Sequence, residues 1–272
     1  MTKTFGALLS QVRKTKPLVH HITNYVTVND CANITLGIGA SPVMADAFDE
    51  AADIAAISSA VVLNIGTLNE RTIPSMIAAG KSANAKSIPV VLDPVGAGAS
   101  KFRNDTAARL ISEIKLSVLR GNISEIRFIA GLSSETKGVD ASEGDFSDAD
   151  DAGQIAKGLA RKHACVVVIS GAVDTVSDGN KIIYVENGHP MLGNLTGTGC
   201  MCSSLIGSLC GASKDEPFVS AAAAMLCMGV AGELAYDKAG FLGKGSFHVA
   251  LHDAVSRMDA VTLERLAKYR EA

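Results

Sequence analysis

Residues 194–206, NLTGTGCMCSSLI, place Cys200 directly after a glycine-rich turn, where an apolar helical segment is expected to begin. Gly197 and Gly199 allow backbone conformations that other residues resist, so successive N–H groups can converge. With the dipole of a helix starting near Cys200, these groups form an anion site that suits phosphate and favours a thiolate over a thiol. The alternative is an inert cysteine packed beside a tight turn, and an isolated G-x-G-C pattern does not separate the two.

A second candidate is Asp93 in the segment VVLDPVGAG. A carboxylate at the end of an apolar strand can hold Mg²⁺ or orient a hydroxyl group. Alternatively, Asp93 caps the turn that follows it. The pair Gly96 and Gly98 lacks the third glycine of a dinucleotide-binding fingerprint, so it is weak support for such a site.

The third candidate is the segment LRGNISEIRF. Arg120 keeps its charge and offers a planar fork to phosphate oxygens. Asn122 and Glu125 form N-x-x-E, in which Glu125 could bind Mg²⁺ directly or through water; the plainer interpretation is a helix cap and a surface acid. Taken together, an anion site, a strand-end aspartate and an arginine beside N-x-x-E describe phosphoryl transfer without a P-loop.

Two histidine pairs could suggest a metal site. His20 and His21 are adjacent, and His248 and His252 lie one helical turn apart. Neither pair has a third ligand nearby in the sequence, so both are interpreted as surface or packed histidines.

Short apolar, β-branched segments alternate with helical segments through the first two thirds of the chain, which predicts a parallel sheet buried on both faces. The predicted strands are residues 59–66, 88–94, 125–131 and 164–171, and the predicted helices are residues 47–57, 71–87, 106–118 and 151–163. Ligands of such open sheets bind at the carboxyl ends of the strands.

The pattern changes after residue 171. Alternation around a Ser-Asp-Gly-Asn turn in residues 173–188 predicts an antiparallel hairpin. Three helices are expected afterwards, at residues 200–210, 218–239 and 247–268. Residues 133–150 are acidic and are expected to form a solvated loop or an irregular crossover.

Composition excludes several functions. The chain has 272 residues, a net charge of −3 and 4% aromatic residues, so neither a basic surface nor stacking platforms favour nucleic acid. The longest apolar segment, residues 218–232, is shorter than the ~20 residues that a membrane span needs. Six cysteines without zinc-type spacing suggest reduced thiols in a cytoplasmic protein. The absence of a linker composition predicts one domain over residues 1–272.

Four segments, in this order, resemble the hydroxyethylthiazole kinases over nearly the whole chain. They are HHITNYVTVNDCANITLGIGASPVMAD, VVLDPVGAG, LRGNISEI and NLTGTGC. The family belongs to the ribokinase-like superfamily, whose members usually carry Asp where this chain has Cys200. The resemblance implies a three-layer α/β/α sandwich with a mostly parallel central sheet and no separate lid domain. It also implies a homotrimer with active sites between subunits.

The activity implied by the resemblance is ATP-dependent phosphorylation of 4-methyl-5-(2-hydroxyethyl)thiazole, which salvages the thiazole half of thiamine. The substrate pocket implied by the matching motifs contains Asn24, Val26, Met44, Gly66 and Gly197.

The same resemblance assigns the remaining roles. Arg120, Ser170 and Gly199 are expected to bind ATP, and the resemblance implies Thr at position 170 in many members, a change that preserves the hydroxyl group. Asp93 and Glu125 are expected to organise Mg²⁺ and the phosphates. Cys200 is expected to face the substrate hydroxyl group and accept its proton.

Other functions remain open at this point. A hydroxymethylpyrimidine kinase would share the anion site but lack the NYVTVND…PVMAD block. A dehydratase acting on damaged NAD(P)H normally retains Asp at position 200. A cysteine hydrolase needs a histidine base, and His189 lies in no recognisable motif. A catalytically silent nucleotide-binding or regulatory protein would have little need of Asp93, Arg120, Glu125 and Cys200 together.

Overall fold

The computed structural model describes residues 4–132 and 149–272. Helices and strands alternate from the beginning of this part of the chain, as expected for a sheet with helical crossovers. The α-helices are α1 (Phe5–Thr15), α2 (Val28–Ile38), α3 (Phe48–Ile57), α4 (Thr72–Ala85), α5 (Lys101–Glu113), α6 (Ile123–Ile129), α7 (Ala149–His163), α8 (Thr198–Ala212), α9 (Pro217–Ala239), α10 (Lys244–Arg257) and α11 (Ala260–Leu266).

The described strands form one sheet of nine, in the spatial order β2-β1-β3-β4-β5-β6-β7-β8-β9. They are β1 (Leu18–Ile22), β2 (Ser41–Met44), β3 (Ala60–Asn64), β4 (Val90–Asp93), β5 (Val118–Asn122), β6 (Val166–Ser170), β7 (Asp174–Ser177), β8 (Ile182–Val185) and β9 (Tyr269–Glu271). The first six strands in chain order pair in parallel, and β7, β8 and β9 add antiparallel pairs at one edge. This mostly parallel sheet was predicted.

Two apolar clusters lie on opposite faces of the sheet. One joins the sheet to α1, α2 and the helices from α8 onward. The other joins it to α3, α4, α5, α6 and α7. Because each described α-helix contributes buried residues to one of these clusters, this part of the chain forms the predicted three-layer sandwich and includes no separate lid domain.

Most element predictions are confirmed to within a few residues. The strands near residues 59–66, 88–94 and 164–171 are β3, β4 and β6, and the hairpin is β7 and β8. The helices near residues 47–57, 71–87 and 151–163 are α3, α4 and α7. The helix expected at residues 106–118 begins and ends about five residues earlier, as α5. Most of the acidic stretch 133–150 lies outside the described residues.

The strand predicted at residues 125–131 is wrong, because this segment is helix α6. The strand lies just before it, as β5. Asn122 accepts a hydrogen bond from the Glu125 N–H, and the Glu125 carboxylate accepts one from the Asn122 N–H. This capping box begins a helix at residue 123 and overrides the apolar, β-favouring composition of the segment.

The single tail helix predicted at residues 247–268 is also wrong. It is α10 and α11, separated by Met258 and Asp259 in extended conformation. Asp259 accepts a hydrogen bond from the Thr262 N–H and starts α11 as its N-cap. The chain then ends as β9, which pairs with β8.

The expectation that the longest apolar segment is too short to span a membrane does not hold for helix α9. It has 23 residues, and a 26-residue stretch starting at Pro217 is long and apolar enough to cross a bilayer. Of its most apolar window, 78% is buried inside the fold. Burial against the sheet and neighbouring helices, and not length, accounts for its apolar composition.

Candidate active site

Polar residues end four neighbouring strands at the carboxyl edge of the sheet. Because β3, β4, β5 and β6 are consecutive parallel neighbours, their last residues lie side by side. Asn64 is in register with Asp93, and Asn122 is in register with Ser170. The topology therefore gathers side chains separated by more than a hundred residues, at the edge where ligands of such sheets bind.

Asp93 and Arg120 form the centre of this edge. The Asp93 side chain is fully buried, and its Oδ2 lies 3.5 Å from an Arg120 guanidinium nitrogen. Oδ2 also accepts hydrogen bonds from Ser203 Oγ at 2.7 Å and Asn64 Nδ2 at 3.0 Å. We call Asn64, Asp93, Arg120, Cys200 and Ser203 the buried polar cluster.

The charges of this pair depend on each other. Burial raises the pKa of Asp93, while Arg120, Ser203 and Asn64 oppose that rise. Burial by itself would lower the pKa of Arg120, but Asp93 is the largest influence in the other direction, and the pKa of Arg120 is raised overall. Arg120 therefore stays cationic, and removal of either partner leaves a buried charge unpaired.

The first turn of α8 lies against this pair. Gly197 is the residue before the helix and has φ +88°, a left-handed conformation that favours glycine. A Cβ on Gly199 would lie 2.6 Å from an Arg120 guanidinium nitrogen. Glycine at position 199 thus lets Arg120 approach the helix start, where the first backbone N–H groups have no intrahelical acceptor. The anion site stays a prediction, and the structure adds that the Arg120 guanidinium group lies beside the helix start.

Cys200 lies in this turn and accepts two hydrogen bonds. Its Sγ is 3.2 Å from both Asn24 Nδ2 and Asn64 Nδ2. Burial, followed by the Asp93 charge, nevertheless raises the pKa of the Cys200 thiol. The expectation that this pKa is lowered is wrong, because loss of water and the Asp93 charge together outweigh the hydrogen bonds of Thr27 and Asn24 and the charge of Arg120.

Glu125 lies beside the cluster at the start of α6. Its Oε1 accepts a hydrogen bond from the Gly96 N–H and its Oε2 one from the Asn122 N–H, both at 2.8 Å. Burial, with a smaller contribution from Asp93, raises the pKa of Glu125 to about 7. Glu125 is therefore a buried acid that ties the turn after β4 to α6, and not the surface acid of the plainer interpretation.

Ser170 and Asp174 complete the edge on the β6 side. An Arg120 guanidinium nitrogen donates a hydrogen bond to Ser170 Oγ at 2.6 Å. Asp174 accepts one from the Gly171 N–H, and burial raises its pKa to about 7. Ser170 therefore contacts Arg120, while their shared role in ATP binding stays a prediction, and Asp174 is an additional acid that the sequence did not mark.

The residues predicted to line the substrate pocket fall into two groups. Asn24, Gly66 and Gly197 surround the buried polar cluster: Asn24 contacts Cys200, a Cβ on Gly66 would lie 2.8 Å from Asn24, and one on Gly197 would touch Thr27. Val26 and Met44 lie further out. Val26 is 58% exposed on the loop after β1, and Met44 ends the half-buried edge strand β2.

Asn64 is a site residue that sequence reasoning missed. Its amide donates hydrogen bonds to Asp93 and Cys200, and its oxygen accepts them from Asn24 and the Gly66 N–H. The sequence contained a signal for this residue: β3 ends with the residues VVLN, and β4 ends with the similar residues VVLD. Two polar residues that end similar apolar strands predict neighbouring positions at the same edge.

Arg103 and Ser203 were also missed. Arg103 on α5 donates hydrogen bonds to the carbonyl oxygens of Ile65, Gly66 and Val95, which holds together the turns after β3 and β4. Ser203 follows Cys200 by three residues on α8, a spacing that places both on one helix face. No motif marked Arg103.

Two alternatives lose support from this geometry. The His189 ring stacks on Tyr236 with centroids 3.5 Å apart and accepts a hydrogen bond from the Met191 N–H. Among the described residues His189 contacts Tyr236 and Met191, and no hydrogen bond joins it to Cys200, which counts against a cysteine hydrolase. Gly96 and Gly98 lie in the turn before α5, and the Ser100 hydroxyl group caps that helix by accepting a hydrogen bond from the Arg103 N–H. These glycines therefore give no support to a dinucleotide-binding loop.

Comparison with known proteins identifies relatives of the whole chain. A sequence model of the hydroxyethylthiazole kinase family matches residues 9–260. A hydroxyethylthiazole kinase of Clostridium beijerinckii is 60% identical over 98% of this chain and 96% of its own length. One of Ruminiclostridium cellulolyticum is 58% identical over 99% of this chain and 98% of its own length.

Solved structures agree on the fold. The structure of a hydroxyethylthiazole kinase protein from Pyrococcus horikoshii OT3 superposes with a TM-score of 0.89 at 40% identity, covering 98% of each chain. A pyridoxal kinase from Staphylococcus aureus gives a TM-score of 0.63 at 15% identity over 80% of this chain and 88% of its own, which shows a shared ribokinase-like fold. The match over residues 9–260 and the full-length identities show that this chain belongs to the hydroxyethylthiazole kinase family.

Proposed function

We propose that this protein phosphorylates the hydroxyl group of 4-methyl-5-(2-hydroxyethyl)thiazole with ATP, as a step of thiazole salvage for thiamine. The observation that carries the proposal is the position of Cys200 Sγ, in the first turn of α8 beside the buried Asp93–Arg120 pair. A proton acceptor, a cation and free helix N–H groups then meet at one point. Phosphoryl transfer to an alcohol needs these three elements.

The reaction moves one phosphoryl group. The alcohol oxygen attacks the γ-phosphorus, the bond between that phosphorus and the bridging oxygen breaks, and ADP leaves. Cys200 accepts the alcohol proton as the thiolate, which is its minor form at neutral pH because burial raises its pKa. Since the transition state is loose and little charge forms early on the attacking oxygen, a weak base is sufficient, and positioning supplies most of the acceleration.

Arg120, Ser170 and Gly199 bind the phosphates of ATP in this proposal. Arg120 presents a permanent cation next to the α8 N–H groups, and Ser170 accepts its hydrogen bond and fixes its orientation. The absence of a side chain on Gly199 keeps this region accessible to phosphate oxygens. Preorganised donors of this kind stabilise the charge of the transferring group.

Mg²⁺ fits the acids of the site. Asp93 Oδ1 is buried and has no hydrogen-bond partner among the described residues, so it can accept a hard cation. Both Glu125 oxygens already accept backbone N–H groups, which favours contact through water. Bound there, Mg²⁺ would neutralise phosphate charge; Asp93 and Glu125 would hold it.

Asn24, Val26, Met44, Gly66 and Gly197 form the thiazole pocket in this proposal. The exposure of Val26, together with Tyr25 and Phe48 near the edge strand β2, leaves that side of the pocket incomplete within one chain. A second copy of the chain would cover it, in a homotrimer with active sites between subunits. Sedimentation equilibrium tests this, and a monomer at the concentration of the activity assay contradicts it.

A cytoplasmic location is part of the proposal. All six cysteines are buried free thiols, as in proteins of reducing compartments.

The decisive experiment couples ADP release to a spectrophotometric signal. Purified protein receives Mg²⁺ and ATP, with the thiazole alcohol, with hydroxymethylpyrimidine, or with neither. We expect ADP formation that depends on the thiazole alcohol. Turnover with the pyrimidine alone would move the substrate assignment to the other small-alcohol kinase, and ATP binding without turnover on either alcohol would contradict kinase function.

A further inference from the structure

Three potential metal ligands converge outside the buried polar cluster. Asp30 lies on α2, and His248 and His252 lie one turn apart on α10, which packs against α2. We call these three residues the histidine cluster. No third ligand lies near the His248–His252 pair in the sequence, because Asp30 is more than two hundred residues away; the packing of α2 on α10 supplies it.

The separations of the donor atoms suit one metal ion. Asp30 Oδ1 lies 3.0 Å from His248 Nε2 and 3.7 Å from His252 Nε2, and the two Nε2 atoms are 3.3 Å apart. A tetrahedral ion with metal–ligand distances of about 2.0–2.2 Å holds its ligand atoms roughly 3.4 Å apart. All three separations lie close to that edge length, so an ion could bind with little movement of the side chains.

From this geometry we propose that Asp30, His248 and His252 form a three-ligand site for Zn²⁺ or a similar transition-metal ion, distinct from the Asp93–Glu125 site for Mg²⁺. Two imidazole nitrogens and one carboxylate oxygen are a donor set that Zn²⁺ and Co²⁺ accept readily. Mg²⁺ prefers oxygen ligands in octahedral geometry and should not compete.

The protonation state of His252 is compatible with binding a metal ion. Burial lowers the pKa of His252, His248 lowers it further, and Asp30 and Asp253 oppose this. A neutral imidazole has the lone pair that a metal needs. In a metal-free ion pair, by contrast, the two Nε2 atoms would face each other at 3.3 Å with a proton on at least one of them.

The position of the cluster gives the ion a structural consequence. It would join α2 to α10, and Asp30 Oδ2 lies 3.6 Å from where a Cβ on Gly197 would be. The site thus borders the turn that enters α8 but shares no residue with the buried polar cluster. His252 Nδ1 is buried without a partner among the described residues. Lack of such an outer acceptor weakens metal sites by about 10–100-fold, so we expect moderate affinity.

The test uses Co²⁺ as a spectroscopic probe of the full-length, chelator-treated and tag-free protein. We expect one Co²⁺ per chain, with visible d–d absorption of tetrahedral intensity that persists in excess Mg²⁺ and disappears when Zn²⁺ is added. Asp30→Asn, His248→Gln and His252→Gln should each abolish the signal. His163→Gln is the matched control, because His163 ends α7, which lies on the other face of the sheet from α2 and α10, and it should bind as the wild type does.

Thermal unfolding gives a second measurement. Zn²⁺ should raise the midpoint of the wild type and of His163→Gln but not that of His252→Gln. The far-UV circular dichroism of each variant checks that it is folded, and Asp30→Asn serves if a histidine variant is not. No Co²⁺ signal in the wild type, equal binding by the variants, or a thiolate-to-cobalt charge-transfer band would overturn the proposal. None of these results depends on kinase activity.

Discussion

The buried polar cluster and the histidine cluster lie on either side of the turn that enters α8, but their environments differ. The first excludes water: Asp93 is fully buried, and Arg120 is 7% exposed. The second is half-buried, with side chains 20–31% exposed. Burial makes the first cluster electrostatically strong and intolerant of change, whereas solvent access makes the second weaker and open to an ion. The depth at which each cluster is buried in the sandwich, more than its residue types, therefore determines how strongly its charges interact.

The largest expected effect is that of Arg120→Ala. Loss of the cation that stabilises the transferring phosphoryl group should lower kcat by about 10³-fold or more, by analogy with other phosphoryl-transfer arginines. Because Asp93 is then buried without its partner, the free energy of unfolding should fall by about 3–5 kcal/mol. Steady-state kinetics below the melting range and urea unfolding measure the two effects.

Arg127→Ala is the control for this change. Arg127 lies on the next helix and pairs with Asp151 at 2.8 Å in a half-exposed ion pair. Its removal should cost less than about 1 kcal/mol and leave kcat unchanged. If Arg120→Ala retained kcat within about tenfold, the proposed phosphate role would be wrong.

Cys200→Ala tests the base within the buried polar cluster. Loss of a general base should lower kcat by about 10²–10⁴-fold while ATP still binds. Cys210→Ala removes a thiol buried at the far end of the same helix, and should keep full kcat. Equal activity of both variants would reduce Cys200 to a packing residue.

The pH profile sharpens this test. Since burial raises the pKa of Cys200, the thiolate is the minor form at neutral pH, and kcat should increase as pH rises above 7. Cys200→Asp, which restores the residue usual in the superfamily, should remain active and shift this increase to lower pH. An unchanged profile would show that another group limits the rate.

Glu125→Gln probes stability in the buried region. The pKa of Glu125 is raised from 4.5 to about 7, so between these values the folded state holds a proton that the unfolded state has lost. Without Mg²⁺ and ATP, the free energy of unfolding should therefore fall by roughly 3 kcal/mol as pH rises from about 4.5 to 7. Urea titrations at several pH values should show a smaller fall in Glu125→Gln. Parallel curves for the two proteins would contradict the raised pKa.

The smallest expected effect concerns the histidine cluster, and its dependence on pH is opposite to that of Glu125: stability is lost as pH falls. Because the pKa of His252 is lowered, the metal-free folded state binds fewer protons than the unfolded state, and stability is lost as pH falls below about 6.5. Solvent screening keeps this contribution below about 1 kcal/mol. His252→Gln should remove it, measured as the difference between urea titrations at pH 7.5 and 5.5. A wild-type loss that persists in the variant would assign it to other groups.

The three-layer sandwich was implied by the resemblance to the hydroxyethylthiazole kinases. The sequence by itself determined the mostly parallel sheet, the hairpin, the G-T-G-C motif and the strand-end Asp93 motif. Each depends on short-range periodicity or turn chemistry, which neighbouring residues encode. The capping box at Asn122 is equally local. The prediction of a strand at residues 125–131 was nevertheless wrong, because short apolar segments of this length are compatible with both a strand and a helix.

The tertiary structure alone decided what these motifs touch. Strand order and register brought Asn64 to Asp93 and Arg120 to Ser170, and helix packing brought Asp30 to the His248–His252 pair. The Cys200 pKa also depended on it, because the dehydration of a side chain is set by every element packed around it. Local sequence fixes where a functional group stands on its own element, and the three-dimensional arrangement of the elements fixes its partners, its burial and therefore its charge.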